Sequence, residues 1–263
     1  MALVQLSWIS HRSPLLKQGK LCQSYRAIVK WYNVRLRIWC RRFDPCWPWI
    51  YIKHTMDKKL PIIFAYLKEL FPSPKTELHS STPFQFVVAV MLSAQATDVQ
   101  VNKVTDKLFK KIKIPEDLLT MGFATFEHSI NSINYYHSKA KHIWETAKLL
   151  KQWKKIPSDL DMLLQLPWVG VKTGKLIAHV LYDKPYIAVD THIHRVSNRL
   201  GLVKTTNPEK TSELLEKRIP DRYKDLAHHA LVLFGRYYCT AKKPKCETCK
   251  LQSICLFYKK NNA

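Results

Sequence analysis

Apolar residues recur at helical spacing through most of the chain that follows Met56. The first apolar stripe comprises Leu60, Ile63, Leu67 and Leu70. It stops at Phe71-Pro72, because a residue that precedes proline disfavours the helical conformation. The pattern therefore predicts an amphipathic helix that ends near residue 71.

Two capping signatures mark the next helices. Thr82-Pro83-Phe84-Gln85 combines an N-cap, a proline at the first helical position and a glutamine at the third, and it opens an apolar run through Leu92. Thr97-Asp98-Val99-Gln100 repeats the signature. The helix after it carries an apolar face of Val101, Val104, Leu108 and Ile112. Both segments are predicted to be helical from the residue after the threonine.

The remaining chain also has helical periodicity and few runs of alternating polarity. Further helices are predicted at 115–121, 125–132, 139–153, 158–165, 172–182, 191–200, 208–218 and 223–237. Only six glycines occur in 263 residues, so tight hairpin turns must be scarce. The predicted fold class is all-α.

Residues 1–55 differ from the rest of the chain. They hold ten Lys and Arg, one acidic residue, five of the eight tryptophans and three cysteines, Cys22, Cys40 and Cys46, without a clear period. We interpret them as a basic, Trp-rich extension of doubtful role, because everything regular begins after Met56. The alternative is an organelle import signal, which the basic composition would suit.

The net charge of +23 indicates a polyanionic partner. Without residues 1–55 the chain keeps 33 basic and 19 acidic residues, a net charge of +14, so the indication does not depend on the extension. Nucleic acid is the first candidate and an anionic membrane surface the second. No apolar run reaches the 18 residues that a transmembrane helix needs.

Four cysteines near the C-terminus form a C-x6-C-x2-C-x5-C pattern. They are Cys239, Cys246, Cys249 and Cys255, and the lysines among them are Lys242, Lys243, Lys245 and Lys250. Four close thiolates can surround either a zinc ion or a [4Fe-4S] cluster, and the spacing does not separate the two. Disulfides are disfavoured in an intracellular DNA-directed protein. The lysines are either a solvated charged run or, as we expect, phosphate contacts.

A glycine-containing turn, Leu166 to Gly174, joins two of the predicted helices. Backbone N–H groups at Val169, Gly170 and the start of the following helix would suit a phosphate. Lys172 lies in the first turn of that helix, where partial burial would favour the neutral, nucleophilic amine. Asp190 begins another helix, which stabilises an ionised carboxylate. Taken alone, a surface lysine and an N-cap aspartate are the simpler interpretations.

Four blocks together resemble the endonuclease III family of DNA glycosylases, in the helix-hairpin-helix superfamily. The blocks are Leu92 to Asp98, Leu166 to Thr173, Val189-Asp190-Thr191-His192 and the four-cysteine loop. Their common order makes a chance match improbable. The resemblance spans about Met56 to Tyr258 and implies a [4Fe-4S] cluster in the loop.

The resemblance also implies roles for individual residues. Lys172 matches the family's catalytic lysine, which attacks C1′ of the damaged nucleoside and forms a Schiff base. Asp190 matches the aspartate that activates this lysine and stabilises the charge that develops on the sugar. Gln95 matches a residue that fills the gap left by the flipped nucleotide. Tyr135 lies in the predicted intercalating loop, where it is either an aromatic wedge or a packed residue.

The implied fold is a six-helix barrel domain at 77–184 and a cluster domain made of 56–76 and 185–263. The implied reaction is removal of oxidised pyrimidines from double-stranded DNA, followed by β-elimination at the abasic site. The alternatives are a monofunctional mismatch glycosylase and a non-catalytic, metal-stapled DNA-binding module. We expect a monomer without a membrane contact, cytoplasmic if the chain is bacterial.

Two departures from the family bear on the hairpin and on the intercalating loop. Trp168 and Val171 stand where the family usually has glycine and a basic residue, and a bulky residue at 168 must adopt a backbone conformation that glycine normally supplies. The family's intercalating loop commonly begins with glycine. This chain has Asn134-Tyr135-Tyr136-His137 at that place.

Overall fold

The structure, a computed structural model, describes residues 47–262, with side chains from residue 58 onward. The α-helices are α1 Trp47–Leu70, α2 Pro83–Leu92, α3 Asp98–Leu108, α4 Pro115–Met121, α5 Phe123–Ser129, α6 Tyr136–Trp153, α7 Leu160–Leu163, α8 Val171–Tyr182, α9 Thr191–Leu200, α10 Pro208–Arg218, α11 Asp221–Tyr237 and α12 Leu256–Asn261. A short 3-10 helix, Gln252–Ile254, precedes α12. The described part of the chain contains no strand, which confirms the all-α prediction.

The predicted caps form as the sequence indicated. The Thr82 and Thr97 side chains accept hydrogen bonds from the backbone N–H groups of Gln85 and Gln100, both at 3.2 Å. Each bond satisfies one N–H that a helix start would otherwise leave unpaired. Gln85 departs from a capping box by one residue, because its Oε1 accepts from the N–H of Ser81 rather than from that of Thr82. Its amide Nε2 donates to the carbonyls of Phe109 and Ile112. Gln85 thus connects α2 to the end of α3.

A first hydrophobic core surrounds α2, whose residues from Phe84 to Leu92 are all buried. It draws its buried side chains from residues 78–178. A second core combines α1 with residues 187–255. The division into barrel and cluster domains stays a prediction, and these two cores are the observation that supports it.

The first helix begins earlier than the sequence indicated. It starts at Trp47 and runs through Pro61 to Leu70, so it includes residues that we had assigned to an irregular extension. Its end, just before Phe71-Pro72, agrees with the prediction. Residues 1–46 lie outside the described residues, and so do Cys22, Cys40 and Cys46. None of the described helices combines the length and the hydropathy that crossing a bilayer requires.

Two glycines permit close helix packing near the predicted site. A Cβ atom at Gly174 of α8 would lie 2.9 Å from Leu160 of α7. At Gly235 of α11 it would lie 2.8 Å from the Cβ of His192 in α9. Larger residues at either position would push apart the helices that carry the site.

Candidate functional site

The hairpin between α7 and α8 forms despite its tryptophan. Trp168 adopts the left-handed conformation, with φ of 64°, and the N–H of Val169 donates to the carbonyl of Leu166 at 3.1 Å. A left-handed residue other than glycine costs about 1 kcal/mol. Trp168 therefore has the glycine-like backbone conformation that we expected, and the hairpin turn forms with it.

The ring of Trp168 packs edge-on against His142 of α6, with centroids 4.5 Å apart, and keeps 48% of its surface exposed. This contact connects the hairpin to α6. Gly170 is the N-cap of α8 and has no side-chain capping bond. The first N–H groups of α8 accordingly remain available to an anion.

Lys172 is exposed and has no hydrogen-bond or ion-pair partner among the described residues. It stands in the first turn of α8 beside the open hairpin, so the partial burial that would favour the neutral amine is absent in this structure. Lys175, one turn further along, is buried and binds Glu216 and Ser212, both at 2.8 Å. Of these two α8 lysines, Lys172 is the one whose amine is free to react.

Asp190 is the N-cap of α9. Its Oδ1 accepts a hydrogen bond from the N–H of Ile193 at 2.7 Å, while Oδ2 has no partner within the described range. One bond fixes the carboxylate and leaves an oxygen available. Asp190 and Lys172 make no hydrogen bond or ion pair with each other.

Three histidines form a cluster between α8 and α11. The ring centroids of His179, His228 and His229 lie 4.8 to 5.4 Å apart, and Nδ1 of the buried His228 has no hydrogen-bond partner within the described range. Asp225 Oδ1 lies 3.7 Å from His179 Nε2. Burial lowers the pKa of His228 well below its ordinary value, and the charges of His229, His179 and Lys172 lower it further. The charge of Lys172 therefore acts on His228 of α11.

The histidine cluster predicts a loss of stability in mild acid. Burial, with repulsion from His179, lowers the pKa of His229 to about 4, below the ordinary 6.5 of an unfolded histidine. The unfolded chain therefore binds a proton before the folded chain does, and the stabilisation present above pH 6.5 is lost as the pH falls toward 4. We expect the free energy of unfolding to fall by about 1–2 kcal/mol between pH 7 and pH 5 because of His229 alone.

Urea titrations at several pH values measure this effect. His229→Gln removes one titrating group and should reduce the slope between pH 7 and pH 5, while the part of the slope that comes from the buried His228 remains. An unchanged slope in that variant would contradict the assignment.

Two of the predicted DNA contacts lie on adjoining loops. Gln95 and Tyr135 are both left-handed, with φ of 55° and 59°, and the side chain of Asn134 donates to the carbonyl of Gln95 at 3.1 Å. Gln95 is exposed and Tyr135 keeps 65% of its surface exposed, so Tyr135 is not a packed core residue. The two side chains that we expect to enter DNA therefore arise from one connected surface.

All four cysteines of the C-terminal loop line one small cavity, with apolar side chains around them. Within residues 58–262 no three His, Cys, Asp or Glu side chains are grouped tightly enough to hold a single metal ion. A lone zinc ion needs every sulfur at about 2.3 Å. A cluster of four irons with its own sulfides reaches sulfurs that stand further apart, so this loop suits a cluster better.

Arginines of α9 hold the start of this loop. Arg199 donates to the carbonyls of Thr240 and Ala241, at 2.7 and 2.9 Å, and lies 3.3 Å from the sulfur of Cys239. Arg195 donates to the carbonyl of Cys239 at 3.1 Å. Sequence reasoning missed both, although their spacing of four residues places them on one face of α9. This helix carries Asp190 at its start and the cluster loop near its end.

The loop lysines divide into two groups. Lys242, Lys243 and Lys245 are exposed, as phosphate contacts need to be. Lys250 instead forms an ion pair with Glu69 of α1. This ion pair connects the loop to α1, and the phosphate contact of Lys250 stays a prediction.

Two family models match the chain. Residues 88–221 match the model described as HhH-GPD superfamily base excision DNA repair protein. Residues 239–255, which run from the first to the last cysteine of the loop, match the iron-sulfur binding domain of endonuclease III.

Curated relatives are similar over most of the chain. Endonuclease III of Escherichia coli K12 is 41% identical over 205 residues, which cover 77% of this chain and 97% of that protein. Endonuclease III of Bacillus subtilis 168 is 40% identical over 201 residues, which cover 75% and 92%.

Solved structures are similar as well. A trapped endonuclease III–DNA covalent intermediate, an estranged-adenine complex, superposes with a TM-score of 0.72 at 36% identity and covers 78% of this chain and 98% of that one. A thermostable thymine-DNA glycosylase superposes with a TM-score of 0.70 at 24% identity, over 78% of this chain and 98% of that one, and shows the shared fold alone.

These matches identify the cofactor as a [4Fe-4S] cluster and the fold as that of the helix-hairpin-helix glycosylases. They also identify DNA as the binding partner. The chain belongs to the endonuclease III family of base excision repair DNA glycosylases.

Proposed function

We propose that this protein removes oxidised pyrimidines from duplex DNA and then cleaves the strand at the abasic site, with Lys172 as nucleophile. The observation that carries the proposal is the free, exposed amine of Lys172 at the start of α8, directly after the hairpin. A paired amine such as that of Lys175 would first have to leave its partners.

Removal of the base begins once the ammonium of Lys172 has given a proton to solvent. The amine nitrogen then forms a bond to C1′ and releases its second proton, while the N-glycosidic bond breaks and the departing base takes the electron pair and a proton from solvent. Positive charge develops on the sugar as this bond breaks. The ionised carboxylate of Asp190, fixed by the N–H of Ile193, stabilises that charge.

Strand cleavage follows from the same covalent bond. Opening of the sugar ring, with cleavage of C1′–O4′, converts the adduct to a Schiff base between Lys172 and C1′. The C2′ proton is then acidic and passes to solvent, and the C3′–O3′ bond breaks with its electrons on the phosphate oxygen. The strand is thereby cut 3′ to the lesion.

Three groups of residues would hold the DNA. The hairpin N–H groups around Val169 and Gly170 bind a phosphate without reading a base. Gln95 fills the gap left by the extruded nucleotide, and Tyr135 wedges the stack open. Lys242, Lys243 and Lys245 contact the backbone of the flanking duplex. In this proposal the protein acts as a monomer.

Cys239, Cys246, Cys249 and Cys255 are the proposed cluster ligands. When bound, the cluster supplies four iron–thiolate bonds that fasten a loop with little apolar anchoring. Of residues 239–258, only Leu251 and Cys255 are buried. Arg199 and Arg195 then connect the fastened loop to α9 and so to Asp190.

The substrate class is tested with matched duplexes that differ in a single lesion. Thymine glycol, a preformed abasic site, an adenine mismatch and a thymine mismatch would each be incubated with the protein, and the product ends analysed. We expect cleavage at the first two. Base release from a mismatch without strand cleavage would support the monofunctional alternative, and binding without either reaction would support the DNA-binding module.

Asp190→Asn separates the capping role of this residue from its charge. Asparagine is as good an N-cap as aspartate, so we expect the free energy of unfolding to stay within about 0.5 kcal/mol. Loss of the charge should lower single-turnover base release about 100-fold or more. Denaturation curves and glycosylase rates on thymine-glycol DNA measure the two effects. Equal base-release rates in the wild-type protein and in Asp190→Asn would show that Asp190 acts only as a helix cap.

A further inference from the structure

One lysine of α6 is buried without a carboxylate partner among the described residues. Lys139 is 3% exposed, and its Nζ donates to the carbonyls of Leu92 at 2.8 Å and Ala94 at 2.6 Å. Leu92 is the last residue of α2, so the ammonium stands at the negative end of a helix dipole. Burying a charge is costly unless such bonds compensate it. The ammonium of Lys139 therefore bonds to the backbone at the end of α2 and directly after it.

That backbone forms the Gln95 loop, residues 93–97, which connects α2 to α3. The neighbouring Tyr135 loop, residues 130–135, connects α5 to α6. The two meet where Asn134 Nδ2 donates to the carbonyl of Gln95. Gln100 adds a second link, because its side chain donates to the carbonyl of Ser132 at 2.6 Å.

Each loop holds one residue in the left-handed conformation, Gln95 and Tyr135. Side chains rarely adopt this conformation, and each instance costs about 1 kcal/mol. Such residues persist where the surrounding contacts determine them. Lys139 bonds the carbonyl of Ala94, next to Gln95, and that of Leu92, where α2 ends, and it lies one helical turn after Tyr135.

We infer that Lys139 is a positioning residue that holds the Gln95 and Tyr135 loops together as one preformed unit for entry into DNA. The inference rests on the proposed function, in which both side chains enter the duplex. Loops fixed before binding lose less conformational freedom when the lesion is extruded. Lys139 would thereby favour the opened DNA complex without touching DNA itself.

The test compares three variants with the full-length, cluster-containing protein. Lys139→Met keeps the length of the side chain and removes its donors, whereas Lys139→Arg keeps both donors and charge. Lys175→Met is the matched control, because it removes another buried lysine, whose partners are Glu216 and Ser212 rather than the two loops.

Two readouts report on DNA opening. The first is affinity for a duplex with a tetrahydrofuran abasic analogue, compared with the undamaged duplex at the same salt concentration. The second is the fluorescence of 2-aminopurine opposite the analogue, which rises when the base is unstacked. We expect Lys139→Met to weaken lesion binding about 10-fold to 100-fold and to lose the fluorescence rise, with affinity for undamaged DNA changed less than threefold.

The other variants decide between positioning and a merely structural role. We expect Lys139→Arg to restore most of the signal, and Lys175→Met to keep it even where its loss of stability equals that of Lys139→Met. If Lys139→Met does not fold, Asn134→Ala removes the exposed bond to Gln95 instead and should reduce the same signal. The inference would be overturned if folded Lys139→Met kept the wild-type preference for the lesion duplex and the wild-type fluorescence rise. If Asn134→Ala is used in its place, the same result in that variant would overturn the inference.

Failure of this inference differs from failure of the proposed function. The positioning role alone is refuted if the wild-type protein forms a borohydride-trapped adduct and Lys139→Met still opens DNA normally. A wild-type protein that forms no adduct refutes the nucleophile instead.

Discussion

Lys172→Gln is expected to lose strand cleavage at an abasic site by a factor of about 1,000 or more. The nucleophile forms a covalent bond in the reaction, so no other interaction at the site can replace it. Lys172 is exposed and unpaired among the described residues, and the free energy of unfolding should change by less than about 0.5 kcal/mol. Single-turnover cleavage of a duplex with one abasic site measures the effect.

Lys184→Gln is the control for this prediction. It removes an exposed lysine just beyond the end of α8, so it lowers the net charge equally without touching the hairpin. We expect near wild-type cleavage in this variant. Cleavage by Lys172→Gln at a similar rate would mean that the reaction uses a different nucleophile.

Cys246→Ser is expected to lose most of the iron–sulfur cluster. A serine hydroxyl is a poor replacement for a thiolate, and the loop has little else to hold it. We expect iron and sulfide to fall to a small fraction of the wild-type content. Because Arg199 and Arg195 connect the loop to α9, which Asp190 caps, base release should also fall about tenfold or more.

Metal and sulfide analysis, limited proteolysis and base-release assays measure these effects. Proteolysis should become rapid between residues 239 and 255. Cys46→Ser, the same substitution outside the loop, should leave the iron content unchanged. Full iron content and protease resistance in Cys246→Ser would contradict its role as a ligand.

Local features of this protein were readable from the sequence because their causes are local. Thr82 and Thr97 bond N–H groups three residues away, and the predicted helices 191–200 and 208–218 have the limits found in the structure. Trp168 was identified as a residue in need of a left-handed backbone, and it has one. The inferences on caps and helix limits used only neighbouring residues, whereas the inference on Trp168 also used the glycine that the family usually has at this turn.

Long-range contacts were not readable in this way. Lys139 binds carbonyls 47 and 45 residues away, and Arg199 binds the loop about 40 residues further on. Both are basic residues on helices, and a solvated face is the ordinary interpretation of such a position. The ion pair of Lys250 with Glu69 likewise joins residues 181 apart. Charge alone did not reveal which basic residues are structural.

The most direct test of the account is borohydride reduction during reaction with thymine-glycol DNA, followed by peptide mapping of the trapped adduct. Reduction fixes the Schiff base as a stable amine, so the modified residue can be identified by mass spectrometry. The account predicts a single adduct on the peptide that contains Lys172, and none in Lys172→Gln. An adduct on any other residue, or none in the wild-type protein, would contradict it.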